Sequence, residues 1–205
     1  MSKVLLCVLI TSLFQIVVGQ EKLKPVPYES LEIRRTLFPE KSLEMAPTER
    51  DDFARNCAIL AANKVVIEGR TKESLKQARK LLSLALQLNP RLKKAVVVNF
   101  QLSRNTMPRQ EQPDYSPEVF AGLLHSVGRR LSKAGGKENI EMAGALLQLA
   151  ADLAPKNEDV IYAQQLHEID YGKFDWSRLE QQARIKPEAE PGPDEPEVVQ
   201  DDGGI

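Results

Sequence analysis

Two stretches of this chain match each other without a gap at an offset of 65 residues: KESLKQARKLLSLALQLNP (72–90) and KENIEMAGALLQLAADLAP (137–155). Nine positions are identical, including Ala78/Ala143, Leu82/Leu147, Ala85/Ala150 and Pro90/Pro155. Leucine richness alone supplies some matches, but not the small-residue spacing, the terminal proline and the same order of flanking helices together. Apolar residues three and four apart (Leu75, Ala78, Leu81, Leu82, Ala85, Leu86) define a broad helical face. A duplicated helical hairpin constrains the fold to an all-α class, because nothing in the chain supplies alternating strands to pair with one another.

The pattern Ala78, Leu82, Ala85, Pro90, repeated as Ala143, Leu147, Ala150, Pro155, resembles the second helix of a tetratricopeptide repeat. The physics is consistent with that family. Small alanines let helices approach, the larger residue fills the groove, and proline ends the unit. An offset of 65 is close to two repeats of about 34 residues each. The resemblance covers roughly residues 53–184 and implies an α-solenoid of helical hairpins serving protein–protein interaction.

Punctuation along the chain places the elements. Residues 20–47, with four prolines (Pro25, Pro27, Pro39, Pro47), read as an extended arm with a turn of helix near Leu31–Arg35. The helical domain spans 48–184. Thr48 and Asp51 suggest a capping box for a helix that stops near Gly69. Thr71 caps the next helix, which Pro90 closes. A third helix, about Leu92–Leu102, contains Val96-Val97-Val98 and is favoured over a strand because no partner strand is legible. Ser116-Pro117-Glu118 starts a fourth helix sharply, and Ala134-Gly135-Gly136 ends it. Helices over about 138–153 and 158–169 follow. Asp175 then caps a short final helix to about Ala183, and residues 185–205 read as a disordered acidic tail.

The first 19 residues read as a signal peptide: Lys3, an apolar run from Val4 to Val18, and small or tolerated residues before Gln20. That run is shorter than the roughly 20 residues needed to cross a bilayer. An exported, periplasmic or secreted protein is therefore expected, the alternative being an anchor formed by residues 4–18. Removal of the signal leaves Cys57 alone, within an apolar helical pattern, so no intramolecular disulfide is expected.

The search for reactive chemistry finds little. His125 and His167 lie in helices without ligand partners at metal spacing, and Ser126 beside His125 points to another face of its helix. Phosphate loops, nucleophile elbows and paired-cysteine motifs are lacking. No catalytic, cofactor or metal site is expected, although an enzyme without a recognisable motif is an alternative. The net charge of −1 gives no nucleic-acid footprint. A basic first hairpin (Lys72, Lys76, Arg79, Lys80 and neighbours) and an acidic tail suggest that the two could meet. The expected partner is a protein or peptide, with self-association as a further option. Because the first helices of such arrays line the groove, the candidate contacts are Asn56, Asn63, Lys64, Gln164 and Gln165.

Overall fold

The computed structural model describes residues 26–33 and 36–180. The expected signal peptide and the tail at 185–205 lie outside them. Seven helices follow in order: α1 (Pro47–Glu68), α2 (Lys72–Leu88), α3 (Lys93–Ser103), α4 (Pro117–Ala134), α5 (Lys137–Leu153), α6 (Glu158–Tyr171) and α7 (Ser177–Glu180). There is no strand among the described residues. The valine run belongs to α3, with Val98 buried against the core and Val96 and Val97 exposed.

Helix ends follow local chemistry, with one shift from expectation. Helix α1 begins at Pro47 after Ala46, and no side chain caps it. Thr48 is therefore inside the first turn, because proline at the first helical position already has the required φ and needs no N–H partner. Thr71 does cap α2, accepting from the Ser74 amide while the Thr71 amide donates to Ser74 Oγ at 3.1 Å. Ser116 Oγ accepts the Val119 amide at the start of α4. Gly69 and Gly135 stop α1 and α4 at φ +73° and +72°, in the left-handed region that glycine adopts without Cβ strain.

Packing groups the helices into two units. In the first, α1 and α2 form a hairpin on which α3 lies; in the second, α4 and α5 form a hairpin on which α6 lies. Helices α2 and α5 match at the offset of 65, whereas the glycine stops put α1 and α4 at an offset of 66. Burial agrees with this second register. Ala54, Ala58, Ala61 and Val65 correspond to Phe120, Leu124, Val127 and Leu131, and all eight are buried. Fully burying a side chain such as Leu82 or Leu147 stabilises by about 1.5–3 kcal/mol, and these two occupy equivalent places.

The units meet along both hairpin helices. Phe53 of α1 packs edge-on to Phe120 of α4 with ring centroids 5.3 Å apart. Lys80 of α2 pairs with Asp152 of α5 at 2.9 Å. One apolar cluster runs through both.

The arm belongs to this core. Tyr28, Leu31, Phe38, Leu43 and Met45 are all buried. Leu31–Ile33 are not helical, so the turn expected near Leu31–Arg35 does not begin there. Asn99 of α3 explains why. Its Oδ1 accepts the Leu31 amide at 3.0 Å and its Nδ2 donates to the Leu31 carbonyl at 2.9 Å, which holds this backbone open. Further along, Gln87 Oε1 accepts the Leu37 amide at 2.8 Å, and the buried Arg50 donates to the carbonyls of Phe38 and Leu88.

Candidate functional site

The connection between α3 and α4 is the second extended segment gripped by side-chain amides. Asn63 Nδ2 donates to the Glu111 carbonyl at 2.7 Å, and the Glu111 amide donates back to Asn63 Oδ1 at 3.0 Å. Two helical turns earlier, Asn56 Oδ1 accepts the Tyr115 amide at 3.2 Å. The segment therefore runs antiparallel to α1. Its acidic side chains are caught from either side: Glu111 by Lys94 of α3 and Asp114 by Arg55 of α1. Tyr115 stacks on Phe120. The strap thus spans from α1 to α3, and each backbone bond satisfies a polar group that packing would otherwise leave dry.

Beside this strap lies a crevice of about 450 Å³ between the units, walled by α1, α2, α5 and the Gln110–Pro113 backbone. Leu60, Leu81, Leu149 and Leu153 supply apolar surface, with Ile67 exposed at the rim. Asn63, Lys64, Lys80 and Asp152 supply polar groups. Lys64 is paired with Glu68 at 2.6 Å and Lys80 with Asp152, so both ammonium groups have carboxylate partners already. A concave apolar surface with a few converging polar groups is the ordinary form of a binding site.

The candidate contacts fall into three places. Asn63 and Lys64 line the crevice, although both functional ends of the Asn63 amide are engaged by Glu111. Asn56 is fully buried and grips the strap, so it offers a partner no surface. Gln164 and Gln165 lie on α6, away from the crevice, where Gln164 bonds to Glu168 and Gln165 bonds to Gln164.

A second groove, of about 500 Å³, separates α4 from α6. Ser132 and His167, 35 residues apart, share a hydrogen bond of 2.9 Å beside it. Sequence inspection found no such pair, because its only signal is a spacing across two helices. Burial pushes the His167 pKa below its ordinary value, with Asp170 and a hydrogen bond to the Ile140 backbone opposing that shift. The far side of the ring meets α5: a methyl group on Gly144 would lie 3.1 Å from His167 Nε2. No carboxylate holds that nitrogen as a catalytic triad requires, and the imidazole acts as a brace tying α6 to α4 and α5. His125, on the same groove, is also pushed down, first by burial and then by Arg129, with Asp159 opposing.

The described residues hold no cluster of three or more His, Cys, Asp or Glu suited to a metal ion. No helix among them is long and apolar enough to cross a membrane. The chain matches no family model, no curated protein and no solved structure.

Proposed function

We propose that this chain is an exported, non-catalytic interaction module of tetratricopeptide-like type that receives a peptide or helix of a protein partner in the crevice between its two units. The observation that carries this reading is the way the fold already handles extended backbone. Asn99 and Asn63 each exchange two hydrogen bonds with a single residue of an extended segment, Leu31 and Glu111. Helical faces equipped in this way recognise main chain without a sheet edge, and the crevice continues the same surface. The repeat signature supports the finer family reading, since Ala78, Leu82, Ala85 and Ala143, Leu147, Ala150 are all buried at the hairpin contacts.

Ile67 is 69% exposed at the crevice rim, and Lys64 stands beside it. Mature protein (residues 20–205) would be used to capture partners from its native exported fraction, with Ile67→Asp and Lys64→Glu as comparisons. Loss of the same identified partner from both variants, with the helical circular dichroism spectrum retained, supports the reading. An unchanged partner set from correctly folded variants removes the crevice from consideration.

A further inference from the structure

The two units handle equivalent grooves differently. In the first unit the chain leaving α3 turns back as the Glu111–Tyr115 strap, held between Asn63 of α1 and Lys94 of α3. In the second unit the chain leaving α6 takes another course. Phe174 packs against Gly144 of α5, Arg178 pairs with Glu141, and Leu179 and Glu180 reach Gln87 and Arg79 of α2. The α4–α6 groove is therefore walled by α4, α6 and Leu147 of α5, with no strap along it among the described residues.

At the offset of 66, Arg129 of α4 stands where Asn63 grips the strap in α1, and Lys133 stands where α1 has Ile67. Both are exposed, and neither has an ion pair among the described residues. The opposite wall presents Tyr162, Leu166 and Tyr171, which are 69%, 44% and 51% exposed. Two carboxylates also line the groove, Asp159 at the His125 end and Asp170 toward Tyr171. The cations thus lie along the α4 wall, facing apolar surface on α6. In addition, His125 Nε2 is buried without a hydrogen-bond partner.

We infer that the α4–α6 groove binds an extended, acidic, proline-containing segment of a partner protein, in the manner in which the α1–α3 groove holds Gln110-Glu111-Gln112-Pro113-Asp114-Tyr115. Arg129 and Lys133 take the acidic side chains that Lys94 and Arg55 take in the first unit. Tyr162 and Leu166 receive the apolar residue that corresponds to Tyr115. This site is separate from the crevice between the units, and its variants leave Ile67 and Lys64 untouched, so either proposal can fail alone.

The test uses the full mature chain and a fluorescent, end-blocked synthetic peptide copying Arg109–Ser116, read by anisotropy. Saturable binding is expected, weakened tenfold or more by Arg129→Glu and by Leu166→Asp, with circular dichroism unchanged. A peptide carrying lysine in place of both acids should bind the Arg129→Glu/Lys133→Glu variant better than it binds the unaltered protein. Absence of binding, or binding lost through Lys94→Glu but indifferent to Arg129→Glu, would overturn the assignment. Binding that emerges only in a chain ending at Glu180 would equally overturn a partner segment in favour of the protein's own acidic residues 186–202.

Discussion

Asn99 and Leu31, 68 residues apart, exchange two hydrogen bonds: the Leu31 amide reaches Asn99 Oδ1 at 3.0 Å, and Asn99 Nδ2 reaches the Leu31 carbonyl at 2.9 Å. Tyr28 Oη also donates to Asn99 Oδ1, at 3.1 Å. One carboxamide thus fixes the path of the arm over α3, and it does so in a buried place where water cannot substitute.

Replacing Asn99 with alanine leaves the Leu31 amide and carbonyl without partners. Each orphaned buried group costs about 1–3 kcal/mol, so Asn99→Ala should destabilise by about 2–4 kcal/mol. Urea denaturation measures this, and hydrogen exchange should quicken at Leu31 before it does in α2. Equal exchange at Leu31 in both proteins would show that apolar burial alone holds the arm.

Gly128 sits where α4 crosses α5. A methyl group there would lie 2.8 Å from Leu147 Cγ and 3.0 Å from its Cδ2. Alanine favours an exposed helix over glycine by about 0.8–1.0 kcal/mol, but overpacking costs about 1–3 kcal/mol. Gly128→Ala should therefore lower the melting temperature, whereas Gly122→Ala, with nothing within 4 Å of the added carbon, should raise it. A rise in both would mean that Leu147 moves aside freely.

Acid should loosen the second unit. Burial holds His167 neutral, with a folded pKa below its ordinary 6.5. The unfolded chain binds more protons than the folded one once the pH falls below that value, so stability declines as pH drops. His125 is shifted in the same direction and adds to the effect. Melting temperatures measured from about pH 7.5 to about pH 5 should fall more steeply for the unaltered chain than for His167→Asn, as linkage to a lowered histidine pKa requires. Parallel curves would remove His167 as the titrating brace.

Cys57 is fully buried, and burial raises its thiol pKa far above the usual range. Only the thiolate is nucleophilic. An aromatic disulfide reagent should leave Cys57 untouched in the folded protein and should react with it once urea unfolds the chain. Rapid reaction without denaturant would place Cys57 on a mobile or open surface.

The residues that announced the fold in the sequence did so through local rules. Thr71, Ser116 and Pro117 start helices because side-chain acceptors or a fixed φ satisfy their first turns. Gly69 and Gly135 end helices because positive φ is open to them. The binding surfaces were less legible. Asn56 and Asn63 were marked as outward contacts because first helices of an array line its groove, yet both turn toward the strap. Nothing local to α1 reveals that Glu111 and Tyr115 will come back to meet them. The Ser132–His167 pair was hidden for the same reason.

The sequence alone determined the helices, their boundaries and the duplication, because 3.6-residue periodicity, caps and breakers act over a few residues. Tertiary structure decided which grooves the chain fills for itself and which it leaves to solvent. That choice depends on where the segments after α3 and α6 travel. After α3 the strap returns to α1, where Asn63 and Lys94 satisfy its backbone and charge. After α6 the glycine at position 144 admits Phe174 onto α5, and the chain continues to α2. Long-range pairing of buried polar groups separates those two routes, and no local pattern encodes it.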